Sequence, residues 1–148
     1  MKNEPDELSI DHLAAAPHQI AFWDGVRSFQ VRNMFRDRFQ VGDGVLFYHS
    51  SVKVPGVAGI AEVASGARTD PIQFDPSSKY HDPASKPEKP RWLGVDVKFV
   101  RKLDRIITLA EIRQHADELG EFALIRKANR LSVLPVAPHQ WDLILSLE

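Results

Sequence analysis

Cysteine is missing from all 148 residues. That absence excludes disulfides, thiolate nucleophiles and Cys-ligated zinc, and with them the zinc deaminases, which need a Cys pair. Catalytic signatures are missing too: no G-x-S-x-G elbow, P-loop, G-x-G-x-x-G or H-E-x-x-H string occurs. The histidines His12, His18, His49, His81, His115 and His139 never fall at metal-ligand spacing, so no metal and no cofactor is expected. No apolar run approaches the ~20 residues of a membrane span, and the polar start is unlike a signal peptide. The chain is therefore read as cytoplasmic, with no membrane partner. Charge of one sign is also scarce. A net charge of −1 argues against a strong, sequence-blind grip on duplex DNA, which needs many phosphate contacts.

What is present suits one domain over residues 1–148, monomeric, with 43% hydrophobic and 26% charged residues, the balance of an ordinary globular chain. The charge is uneven. Residues 1–24 hold five acids and one base, residues 25–53 five bases and two acids, and residues 98–130 eight bases and five acids. The two basic segments either form one positive face or remain scattered surface charge.

The pattern of elements reads as α+β. Ser9 caps a helix over Ile10 to Ala16, ended by Pro17. Asp24 to Arg38 is helical in composition, but its apolar residues do not form one stripe, so a break is expected near Asn33. Val45–His49 and Gly56–Val63 read as strands, the latter with Ala58, Gly59 and Ala61 small enough for close backbone approach. Ala64 to Pro90 is a long excursion holding five of the ten prolines. Its Asp75-Pro76 and Asp82-Pro83 turns and Tyr80 predict that Asp75 to Pro90 is an ordered loop bordering a cleft. Arg91 to Val100 alternates cleanly as a strand. Thr108 and Glu111 form a capping-box signature. Phe122 to Lys127 suggests another short helical piece, Leu131 to Val136 a last strand, and Pro138 a terminal helix burying Trp141, Ile144 and Leu145.

Recognition of an extruded base requires flat rings for stacking and a few fixed polar groups for the base edge. Trp141 sits at helical spacing and reads as core. Trp92, off the main apolar face of its strand, and Trp23, in a loop-like Phe22–Gly25 stretch before the helical segment, read equally well as packed rings or cleft walls. His49 and Ser50 end an apolar strand, where a polar turn is the plain alternative. Asn3 and Glu4 precede Pro5 and read by themselves as a frayed start. Ser132 places a hydroxyl among apolar neighbours and so requires a hydrogen-bond partner.

The strings Lys2–Asp6, Trp23–Arg27, Arg32-Asn33, Gly42-Asp43, Phe47–Ser50, Gly56–Val63, Pro90–Trp92 and Arg130–Val136, in this order, resemble the EVE domain. This is the module of the thymocyte nuclear protein family and its bacterial relatives. The resemblance implies a PUA-like fold, a small curved or barrel-like mixed sheet with flanking helices. It also implies a cleft for a modified base beside the Trp and Arg strings. Asn3 stands where the family usually has serine, Ser28-Phe29 where it has Asn-Tyr, Val31 where it has alanine and His81 where tyrosine is common. The family also has an aromatic-rich strand just before the lysine, and this chain starts at Met1-Lys2.

The resemblance thus implies a non-catalytic binding module for a modified nucleobase in DNA or RNA. Trp23 and Trp92 would form walls or supports, and Asn3, Glu4, Asn33, His49, Ser50 and Ser132 the polar contacts. Arg27 and Arg130 would contact phosphate or brace the pocket. Two alternatives stand beside it: a small hydrolase or transferase acting on a nucleotide-like metabolite with His49 as base, and an adaptor that binds protein through an apolar patch.

Overall fold

Alternation along β3 (Gly44–His49) explains the layering. Val45 and Phe47 project to one face of the sheet and Leu46 and Tyr48 to the other, and all four are buried. The sheet is therefore covered on both sides. The computed structural model, which describes residues 1–148, places β3 inside an open six-stranded mixed sheet. The path runs β1 (Lys2–Asn3), β3, β4 (Gly56–Val63), β6 (Leu93–Thr108), β2 (Ile20–Trp23), with β5 (Arg68–Thr69) pairing to β6. Only β1 and β3 run parallel. Register shifts at Phe47/Tyr48 and at two points between β4 and β6 bend the sheet, as bulges do. The result is curved but not closed into a barrel.

Helices fill both faces. α1 (Pro5–Leu8), α2 (Ile10–Ala15) and α3 (Phe29–Asp37) flank the core that holds Ile10, Leu13, Trp23, Val31, Phe35 and Phe47. α4 (Leu109–Gln114), α5 (Ala116–Leu119) and α6 (Pro138–Ser146) flank the core of Leu46, Tyr48, Ile107, Ile112 and Ile144. Gly59 decides how closely α2 seats. A Cβ there would lie 2.5 Å from the Ile10 side chain, so a helix side chain, rather than another backbone, makes the closest approach over β4 at this point.

Both expected caps form. Ser9 Oγ accepts from the His12 N–H at 3.0 Å, and Thr108 and Glu111 exchange a capping box at 3.1 and 2.9 Å. Several expectations need correction. α3 does not break near Asn33, because Val31, Met34 and Phe35 are buried together at helical spacing and Ser28 caps the start. Its discordant Phe29 lies exposed off the buried stripe, and Phe39 falls beyond the helix end, packed against Phe35. Ile20–Trp23 is a strand, β2, where no strand was expected. β6 continues to Thr108, well past Val100. Residues 131–136 join no ladder, and Phe122 to Lys127 reduces to a 3₁₀ turn at Ala123–Ile125. α6 buries Gln140 and Ile144, leaving Trp141 and Leu145 only partly covered. No helix is long and apolar enough to cross a membrane.

Candidate functional site

The chain opens two large concavities. One, about 550 Å³, is an apolar groove beside α6, bordered by Met34, Phe39, Val45, Val133, Val136 and Trp141, with Arg38 and Asp43 at its edge. The other, about 490 Å³, is a mixed cleft. One wall is the end of β2 and the following turn: Ala21, Phe22, Trp23, Asp24, Gly25, Val26, Arg27 and Ser28. The opposite side is built by Lys2 and Asn3 of β1, Glu7 and Leu8 of α1, and the segment Arg130–Ser132, while Tyr80 reaches in from the long loop.

Backbone pairing brings these distant pieces together. Lys2 lies opposite Tyr48 in the parallel ladder, and its N–H donates to the Ser132 carbonyl at 2.7 Å. The start of the chain is therefore clamped on both sides, not frayed. The Asn3 amide oxygen accepts from the Glu4 N–H at 3.0 Å, and Glu4 then opens α1 with Pro5 in its first turn. The Lys2 ammonium touches the Asn129 carbonyl at 3.4 Å, and burial lowers its pKa.

The turn after Trp23 is held by a buried carboxylate. Asp70, with 0% exposure, accepts from the Gly25 N–H at 3.0 Å, from Arg27 Nη1 at 2.9 Å and from the Ile72 N–H at 2.8 Å. Arg27 also donates to the Tyr80 carbonyl from Nε at 2.9 Å and from Nη2 at 2.7 Å. Its guanidinium is thus committed to bracing and is not free for phosphate. Gly25 has φ +75°, and a Cβ there would lie 3.2 Å from the Tyr80 ring. Glycine lets that ring lie close against the turn.

The loop is ordered by a second hub. Gln73, also 0% exposed, donates to the Trp92 carbonyl at 2.9 Å and accepts from Ser85 Oγ at 2.6 Å and the Trp92 N–H at 3.1 Å. Tyr80 Oη donates to the Glu7 carboxylate at 2.9 Å, joining loop to α1, and Lys79 pairs with the same group. These contacts, the Lys79 hydrogen bond foremost, lower the Glu7 pKa. The expected ordered loop beside the cleft is therefore present, through Tyr80.

Of the residues expected at the site, Asn3, Trp23, Arg27, Arg130 and Ser132 converge on the cleft and the others do not line it. Trp23 is a strand residue and only 5% exposed, set edge-on to Phe47 with centroids 5.7 Å apart. It is core and cleft wall at once, not a loop ring. Trp92 is equally buried. Its Nε1 donates to Asp82 at 2.7 Å, and it stacks on Phe29 with Arg27 over its ring, so it supports the cleft from behind. Asn33 Oδ1 accepts from its neighbour Arg32. Ser50 donates its N–H to the Asn3 carbonyl at 2.9 Å. Glu4 is exposed at the start of α1. His49 Nε2 accepts the Ile10 N–H at 3.1 Å, capping α2, and burial lowers its pKa. A ring nitrogen used in this way is not available as the base of a hydrolase.

Asp24, Asp70, Gln73 and Ser85 were missed. The Asp70-Pro71 pair carries a turn signal. Gln73 and Ser85 carry none, because only the folded loop brings them together. The two basic segments do not supply a bare positive face to the cleft. Arg27, Arg36, Arg68, Lys79, Arg91, Arg101, Lys102, Arg105 and Arg126, nine of the 19 basic residues, lie within 3.9 Å of a carboxylate. Among cleft-lining cations, Lys2 and Arg130 remain without one.

Comparison with known proteins agrees with this fold. Thymocyte nuclear protein 1 of Danio rerio is 39% identical over 164 aligned positions, covering 100% of this chain and 70% of the relative. A crystal structure of a Pseudomonas putida protein is 47% identical with a TM-score of 0.93, covering 99% of this chain and 96% of that one. Human THYN1, whose crystal structure is a complex with 5-methylcytosine containing DNA, is 37% identical with a TM-score of 0.93, covering 99% and 94%. The profile of the EVE domain matches residues 1–147. The chain belongs to the EVE domain family, with its PUA-like fold.

Proposed function

We propose that the cleft between β2, β1 and Tyr80 receives a modified nucleobase of a nucleic acid, and that the domain binds it without chemical turnover. The observation that carries this reading is the convergence of Trp23, Asn3, Ser132 and the braced Asp24–Arg27 turn on one concavity of about 490 Å³. That volume is within the range of small-molecule sites. A wall of flat ring and fixed polar groups is what an extruded base requires. The complex of human THYN1 with 5-methylcytosine containing DNA supports the ligand class. The engagement of His49 in capping α2 supports binding over hydrolysis.

The test is fluorescence anisotropy with oligonucleotides that differ at one position, modified against unmodified, in DNA and in RNA. A modified base should bind more tightly than its parent, whereas unmodified duplex should bind weakly with a shallow salt slope. Nanomolar affinity for unmodified random DNA at physiological salt would sink the reading.

A further inference from the structure

We propose that Asp24 sets the base specificity of the cleft by accepting a hydrogen bond from an exocyclic amine, which selects cytosine- or adenine-type bases over uracil or thymine. The inference rests on the cleft being a base site. Two acidic residues line that cleft, Glu7 and Asp24, and they are not equivalent. Glu7 is occupied by Tyr80 and Lys79. No other residue's side chain or N–H bonds to the Asp24 carboxylate, although the neighbouring Asp70 takes three donors.

Asp24 is also held in place. It follows Trp23, whose strand pairing with Val95 fixes it, and precedes Gly25, whose N–H is anchored to Asp70. Partial burial, and then the nearby Asp70 charge, raise its pKa, with its own N–H and then Arg27 opposing. Asp24 is exposed in the cleft wall and takes no bond from another residue, so its acceptor capacity is open to a donor brought by a ligand. An ionised carboxylate only accepts. The 4-amino group of cytosine or the 6-amino group of adenine offers it an N–H, as carboxylates read cytosine in duplex grooves. The 4-oxo group of thymine or uracil would set lone pairs against lone pairs.

The experiment uses the full chain and single-stranded oligodeoxyuridine, which carries neither an exocyclic amine nor a 5-methyl group. One central position is uracil, thymine, cytosine or 5-methylcytosine, so amine and methyl are varied independently without base pairing. The two amine-bearing strands should bind at least about tenfold more tightly than their oxo counterparts, the scale of a hydrogen bond to a charged group. Asp24→Asn, which keeps the shape and can donate, should abolish or invert that preference at an unchanged melting profile. Equal binding of 5-methylcytosine and thymine strands overturns the role of Asp24, as does an amine preference that survives Asp24→Asn. If cytosine and 5-methylcytosine bind alike and both exceed uracil, Asp24 is supported while the modified-base reading fails. If only the methyl matters, the reverse holds. Absence of binding to every strand overturns both.

Discussion

The cleft and the groove beside α6 enclose similar volumes, about 490 and 550 Å³, but their walls are held in different ways. The groove is lined mainly by side chains that belong to the cores or their margins, with Trp141 lying against Gly44, where a Cβ would come within 2.8 Å of the indole. The cleft is lined by residues fixed through long-range polar bonds: Asp70 to Gly25 and Arg27, Arg27 to Tyr80, Lys2 to Ser132. Apolar packing fills space without setting direction, whereas hydrogen bonds aim donors and acceptors. Only the second kind of wall fixes orientations fine enough to read a base edge. The same contrast divides the tryptophans, since Trp23 belongs to both a core and the cleft while Trp141 belongs to the groove.

The comparison breaks most severely at Asp70. Asp70→Ala leaves Arg27 without its carboxylate partner and should cost about 3–5 kcal/mol in denaturant unfolding, with loss of ligand binding in the fraction that remains folded. Trp23→Ala should cost a similar amount, about 3–5 kcal/mol, because the ring is core. Trp141→Ala should cost less and leave binding unchanged. If Trp141→Ala proves the more destabilising, or weakens binding in folded protein, the two walls have been wrongly separated. Arg130→Gln should leave the melting temperature unchanged and make the salt dependence of binding shallower by about 0.7–0.9 in slope, one lost phosphate contact. An unchanged slope would place phosphate elsewhere.

Acid titration probes the edge remote from the cleft lining. The pKa of Glu111 is pushed down to about 2 by Arg105, then by Thr108, and that of Glu148 to about 2 by Arg101 first. For carboxylates depressed in the folded state, the stabilisation is complete above the ordinary value of 4.5 and fades as pH falls toward 2. Wild-type stability should therefore decline through that window, and the Glu111→Gln, Glu148→Gln double variant should flatten the decline. The smallest effect concerns Asp24. Its folded pKa is raised, so the ionised form is disfavoured by the fold. Asp24→Asn should thus be neutral to slightly stabilising at pH 7, measured by thermal melting, although it lies in the cleft wall. A marked destabilisation would show that Asp24 has a structural partner.

The sequence by itself determined the local features. Ser9 with the residues after it, and Thr108 with Glu111, specify helix starts because a hydroxyl satisfies nearby N–H groups. The β4 strand, the alternation at the start of β6 and the ordered Tyr80 loop were legible for the same reason: composition, period and turn chemistry act over a few residues. The ordered strings pointed to the family, and they included Asn3, Trp23, Arg27, Arg130 and Ser132, which the fold brings into one cleft. Tertiary structure alone decided the rest. Whether Trp23 lay in a loop or a strand depended on pairing with Val95, far along the chain. His49 became a cap for α2 because β3 passes beneath Ile10, and Leu131–Val136 met β1 only through the Lys2 N–H to the Ser132 carbonyl, one bond and no ladder. Arg27 became a brace when Asp70 and the Tyr80 carbonyl took its donors. Each of these outcomes turns on a partner dozens of residues away, and no local pattern contains that partner.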